Sequence, residues 1–177
     1  MKYKSKDAER NAILNVAYEM AVAARTAPTG CGIDNIEVVI LDGEDKDALA
    51  AEMRKIDEER NGLGPFARDA GNVDNAEAVV LIGAKNSPIG LSGCGLCAFG
   101  DCAGAAKAGA NCAFNVLDLG IAVGSAASIA MDNRIDNRIM WTAGKAAVRL
   151  QLFSESVRIA NAIPLSASGK NIFFDRG

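Results

Sequence analysis

The sequence predicts an α+β protein: a small, mainly antiparallel sheet packed with helices, with a cysteine-rich loop inserted after the second strand. Three observations carry this reading. Short β-branched runs stand between amphipathic stretches of helical period. Half of the 177 residues are apolar, enough for one well-buried core. Four of the five cysteines fall between residues 94 and 112. Residues 1–177 therefore read as one domain, with residues 93–113 a metal-binding segment inside it.

The elements follow in order. Asp7 to Ala24 places Ile13, Leu14, Ala17, Met20, Ala21 and Ala24 on one face of a 3.6-residue period, and Asp7 and Glu9 lie near its start, where they suit the helix dipole. This helix ends before Ala27-Pro28-Thr29-Gly30, because proline disfavours helix in the residue ahead of it. Ile36 to Leu41 is short, β-branched and closed by Asp42-Gly43, hence a strand. Asp47 to Ile56 reads as a short helix and Asp57 to Gly64 as a charged connection. Ala78 to Ile82 is a second buried strand, bounded by Gly83. The cysteine segment follows it directly.

Phe114 to Ala130 is apolar almost all round, as a helix buried on every side would be. At about 17 residues, with Asp118 inside it, it is short for a membrane span. Gly120, Gly124 and Ser128 form a small-residue stripe along it that admits another backbone, from the same chain or from a second copy in a homodimer. Asp136 to Leu150 reads as a further helix, and Val157 to Leu165 as a third strand running into Ser166-Ala167-Ser168-Gly169-Lys170.

Charge and composition exclude several classes. A net charge of -3 with scattered Lys and Arg gives no footprint for nucleic acid. The charged start, Met1 to Arg10, is unlike a secretory signal, so a cytoplasmic protein with neither membrane nor nucleic-acid partner is expected. Histidine is absent, so a metal site must be built on thiolate or carboxylate. Cysteines of a reducing compartment suit metal ligation better than disulfides.

Cys94, Cys97, Cys102 and Cys112 have the spacing Cys-x2-Cys-x4-Cys-x9-Cys. A 4Fe-4S cubane needs four converging thiolates, and bacterial ferredoxin motifs likewise open with Cys-x2-Cys and recruit a distant fourth ligand. Gly93, Gly95, Gly100 and Gly104 allow the tight turns such a site requires. The competing occupant is structural zinc on the same four thiolates, although zinc designs usually pair two Cys-x2-Cys knuckles. Cys31 stands apart as a lone loop or core thiol. One cluster implies a redox role with a partner protein or a small-molecule electron acceptor.

Locally, Cys94 to Cys112 resembles the small 4Fe-4S motif of corrinoid iron-sulfur proteins and of membrane electron-transport subunits, with a shorter final gap. Over nearly its whole length the chain resembles a family of "ferredoxin domain" proteins from anaerobic bacteria and archaea. The residues that carry this are 24–30 (Ala-Arg-Thr-Ala-Pro-Thr-Gly), the cysteine run, 117–126 (Leu-Asp-Leu-Gly-Ile-Ala-Val-Gly-Ser-Ala) and the stretch from Ile163 to Arg176. A further resemblance is to FMN-dependent nitroreductases, in the Ala27-Pro28-Thr29 turn after the first helix, the central helix pattern at Leu117 to Ser125, and the element order. The Arg-rich start that holds the FMN phosphate in that family has no counterpart here. The likeness implies a nitroreductase-like sheet, with Arg25 and Thr29 as flavin contacts.

Ser166 to Lys170 invites comparison with a phosphate loop, but Pro164 stands where the first glycine belongs and Asn171 replaces the magnesium-binding hydroxyl. Nucleotide hydrolysis is excluded. Ser168, Gly169 and Lys170 remain either an anion nest for a flavin phosphate or an ordinary polar turn. Arg134, Arg138, Lys145 and Arg149 read as a solvated helix face, and Trp141, Phe173 and Phe174 as core or interface aromatics, or as covers for a flavin or cluster.

Overall fold

A computed structural model describes residues 1–174. Asp175 and Arg176, at the end of the C-terminal run that carries the family resemblance, lie outside the described residues. The elements are α1 (Ser5–Arg25), β1 (Ile36–Asp42), α2 (Gly43–Glu59), α3 (Phe66–Asn75), β2 (Ala78–Lys85), α4 (Cys102–Lys107), α5 (Ala113–Asp132), β3 (Asp136–Asn137), α6 (Trp141–Arg149) and β4 (Val157–Ser166). A single 3-10 turn, Gly30–Gly32, precedes β1.

The strands form one sheet in the order β1-β2-β4-β3, every neighbour antiparallel. Ile36 pairs with Ala84 and Asp42 with Ala78, while Ala78 pairs with Leu165 and Ala84 with Ile159. Side chains of β2 alternate between two cores. Ala78, Val80, Ile82 and Ala84 face α1 and α5; Val79 and Leu81 face α2, α3 and α6. A strand covered on both sides is apolar at every position, which is why Ala78 to Ile82 reads as an unbroken hydrophobic run.

Four differences from the sequence reading have physical causes. Strand β2 continues past Gly83, because a Cβ there would lie 2.7 Å from Val157 and 3.1 Å from the Phe153 ring; the glycine admits those side chains instead of ending the strand. Helix α2 begins at Gly43 rather than Asp47, with Glu44 and Asp45 in its first turn, where the dipole favours them. Helix α3 was absent from the reading. Its signal is Pro65 ahead of Phe66, Ala70 and Val73 at i, i+4 and i+7, all three fully buried. The helix expected over 136–150 starts only at Trp141: Asp136 and Asn137 pair with Ser166 and Leu165, and Met140 bridges to Ala162, satisfying part of the open edge of β4.

Helix α5 also differs, in being buried on one side only. Asn115, Asp118, Leu119, Ala122, Val123, Ala126 and Ala130 face inward, whereas Leu117 and Ile121 are about half exposed. By length and composition this 20-residue helix could cross a membrane, and its inward face packs on α1 and the sheet. Among the described residues, nothing outside the helix lies within 4 Å of where a Cβ at Gly120 or Gly124 would stand, so no other element packs on those two positions of the stripe.

Candidate metal centre

The loop between β2 and α4 turns repeatedly through left-handed conformations. Gly90, Gly93 and Gly95 have φ of 80, 71 and 57°, and Ala98 has 64°. Short turns close it: Cys94 N–H donates to Leu91 C=O and Ala98 N–H to Gly95 C=O. Gly93 and Gly95 thus need the freedom the sequence suggested, whereas Gly100 is not left-handed and Gly104 lies within α4. The result is a burial pattern: Cys94, Cys97, Phe99 and Cys102 are half-buried while the residues between them are exposed.

Cys102 opens α4, where the Asp101 side chain accepts the Gly104 N–H at 2.7 Å. Cys112 is the N-cap of α5 and is 9% exposed. The N-terminus of that long helix favours a negatively charged ligand. All four cysteines line one cavity of about 430 Å³, with Phe99, Asp101, Phe114 and the small residues of the loop around them.

Among the described residues no three His, Cys, Asp or Glu side chains are gathered closely enough to hold a single metal ion. The four cysteines line one cavity without closing on a common point for one ion. Zinc needs sulfur ligands about 2.3 Å from one centre. A cubane takes one thiolate at each iron corner, and four cysteines lining one cavity are compatible with that ligand set. Cys31 is exposed, at φ 56°, and does not line this cavity.

The residues proposed to hold a flavin are less gathered. Arg25 is engaged by Asp34 at 2.6 and 2.8 Å and donates to the Ile36 carbonyl; it lines a cavity of about 590 Å³ beside β1 with Glu37 and Lys85. Thr29 lines a different cleft, of about 270 Å³, with Pro28, Gly30, Phe114, Leu117, Asp118 and Ile121. Neither cavity includes Ser168, Gly169 or Lys170. Ser168 Oγ donates to the Lys170 carbonyl at 2.6 Å, a local polar turn. Asn171 joins that turn to β3 through Asp136 at 2.9 Å.

The basic residues do not share one helix face. Arg138 lies ahead of α6, donating to Phe173 C=O and stacking over the Phe174 ring, and Arg149 pairs with Glu52 and Glu59. Trp141 packs edge-on against Phe66, and Phe173 is buried.

Sequence reasoning missed the polar contacts around the first turns of α5. Asp118, 2% exposed, accepts Gly30 N–H at 2.9 Å and the Asn35 amide at 2.8 Å. Asn115 Oδ1 accepts Ser87 N–H at 3.0 Å, and Asn86 reaches Cys112 and Ala110. Asn115 and Asp118, two polar residues on the apolar pattern of α5, were their visible signs.

Comparison with solved structures identifies the fold. A nitroreductase with bound FMN from Desulfitobacterium hafniense matches with a TM-score of 0.59 at 13% identity, over 88% of this chain and 78% of that one. An FMN-dependent nitroreductase from Mycobacterium smegmatis, solved with NADPH, matches with 0.58 at 16%, over 88% and 78%. Fold and site together define an α+β protein of the nitroreductase fold with a four-cysteine loop between β2 and its long central helix.

A protein of Archaeoglobus fulgidus is 40% identical over 184 residues, covering 99% of this chain and 98% of that protein. Residues 108–176, which include Cys112 but not the other three loop cysteines, match the family described as "Uncharacterized protein containing a ferredoxin domain". The chain belongs to that family.

Proposed function

We propose that this chain is a cytoplasmic electron-transfer protein that carries one 4Fe-4S cluster on Cys94, Cys97, Cys102 and Cys112. One observation carries the reading: four thiols from a loop and the starts of two helices line a single cavity of about 430 Å³. The family's description as containing a ferredoxin domain supports it. When bound, such a cluster accepts and releases electrons, ordinarily one at a time. The chain's own part is to supply four ligands, wrap them in small residues, and leave the loop side near the surface for a redox partner or small-molecule acceptor.

The test is anaerobic reconstitution followed by iron and sulfide analysis and an EPR spectrum. Four irons and four sulfides per chain are expected, with Cys97→Ser losing them and Cys31→Ser keeping them. Stoichiometric zinc without sulfide, or equal iron in both variants, overturns the assignment.

A second reading, in which the cluster feeds electrons to FMN, is favoured by one residue. Phe114 lines both the cysteine cavity and the cleft that contains Thr29. An acceptor in that cleft would be separated from the cluster by one aromatic ring. At about 270 Å³ the cleft falls just below the usual range of about 300–1,000 Å³ for small-molecule sites, so a second copy against α5 would complete it. Fluorescence titration with FMN distinguishes the readings: saturable quenching that weakens in Thr29→Ala supports the relay, and none leaves the cluster to serve a protein partner.

A further inference from the structure

We infer that Asn86 is the positioning residue for the fourth ligand, Cys112; the inference rests on the cluster reading above. Cys112 is the ligand whose spacing is unusual, and it lies outside the turns that orient the other three. Something else must fix it. Asn86 follows β2 directly, and its N–H donates to Ser156 C=O at 2.8 Å, which anchors it to the approach to β4. From there its side-chain amide reaches 26 residues along the chain. Oδ1 accepts the Cys112 N–H and Nδ2 donates to Ala110 C=O, each at 3.4 Å.

Bonds of that length are individually weak. Their value is geometric. Two contacts from one planar amide to backbone groups two residues apart restrict both the position and the twist of the segment that carries the thiol.

The helix cap makes the role specific. An N-cap N–H lies outside the helical ladder, and in a capping box the side chain at the third helical position accepts it. Here that position is Asn115, yet its Oδ1 is turned to Ser87 N–H at 3.0 Å. Asn86 supplies the missing acceptor. The neighbours Asn86 and Ser87 therefore exchange capping partners with Cys112 and Asn115, and Cys112 is tied to the sheet instead of the loop. Outer partners of this kind hold metal ligands in place, and their loss typically costs 10–100-fold in metal affinity.

The test compares wild type, Asn86→Ala, Asn86→Asp and Cys112→Ser, each reconstituted anaerobically as the full chain. Asn86→Ala should load a cluster but lose iron to a chelator about 10–100-fold faster than wild type, and on mild oxidation it should show the EPR signal of a three-iron species, the signal also expected of Cys112→Ser. Asn86→Asp keeps the acceptor for Cys112 N–H and should lose iron at an intermediate rate. Its added negative charge should lower the reduction potential. Near-UV circular dichroism checks folding; if Asn86→Ala does not fold, the Asp variant decides by the same readouts. Wild-type iron loss and an unchanged EPR spectrum in the variant that decides overturn the inference. A wild type without iron, or a Cys112→Ser protein that keeps four irons, instead removes the cluster reading on which it rests.

Discussion

Asp118, in the first half of α5, accepts the backbone N–H of Gly30 at 2.9 Å, so a turn 88 residues away is fastened to the helix whose N-cap is Cys112. Its other oxygen accepts the Asn35 amide at 2.8 Å, and the carboxylate is 2% exposed. Asp118→Ala leaves the buried Asn35 amide and the half-buried Gly30 N–H without partners, and a buried orphan costs about 1–3 kcal/mol. The variant should lose about 1–4 kcal/mol in urea unfolding, the Gly30 donor costing less than the Asn35 one, with Asp118→Asn between it and wild type. A loss below about 0.5 kcal/mol would show that the turn is held otherwise.

The Cα of Gly144 on α6 rests against the Ala160 backbone, and a Cβ there would lie on its carbonyl oxygen. Gly144→Ala should therefore destabilise by about 1–3 kcal/mol or more through overpacking, despite alanine's better helix propensity. Gly120→Ala is the control. Its Cβ would meet nothing within 4 Å, so the isolated chain should gain up to about 1 kcal/mol. Equal unfolding midpoints for the two variants would refute the packing account.

Acid should weaken the corner beside α1 and β1. The Arg25 guanidinium, bonded to Asp34 at both oxygens, holds that carboxyl below its ordinary range. Burial pushes Glu37 upward, but the hydrogen bonds from Ser154 and the nearby Lys85 outweigh it, and its net shift is also downward. As pH falls through the ordinary carboxylate range near about 4, the unfolded chain binds these protons first. Their stabilisation is therefore fully present above that range and lost as pH falls through the lowered folded values. Thermal melts from pH 6 to pH 2.5 should show a smaller decline in the Asp34→Asn, Glu37→Gln double variant; parallel curves would assign the acid sensitivity elsewhere.

Periodicity made the two-core sheet legible where one residue type served one purpose. The unbroken apolar run at Ala78 to Ile82 marked a strand covered on both faces, and the Pro28 turn marked the end of α1. It failed where a residue served a neighbour. Gly83 looked like a strand end because the Phe153 ring that needs its space lies 70 residues on. Asp136 and Asn137 looked like a helix start because the sheet edge they cover belongs to β4. The turns of the cysteine loop were legible for a related reason: the spacing is local, and so are the left-handed conformations at Gly93 and Gly95. Asn86 was not, since its contact with Cys112 exists only once β2 and α5 are side by side.

The outer face of α5 yields a last prediction. Leu117 is 55% and Ile121 46% exposed, and Gly120, Gly124 and Ser128 lie exposed along the same helix. Tyr18 and Val22 of the adjacent α1 are also exposed, at 61% and 62%. Contiguous exposed apolar residues mark interaction surfaces, and glycines without neighbours let a second helix approach closely. A homodimer through α5 should therefore form, and Ile121→Asp, which buries an unpaired charge at that contact, should be monomeric in sedimentation velocity while keeping its circular dichroism spectrum. Leu117 and Ile121 also line the cleft that shares Phe114 with the cysteine cavity. If the second copy completes that cleft, Ile121→Asp should lose flavin quenching along with dimerisation. A monomeric wild type would sink the dimer, and flavin binding retained by the monomeric variant would place the flavin elsewhere.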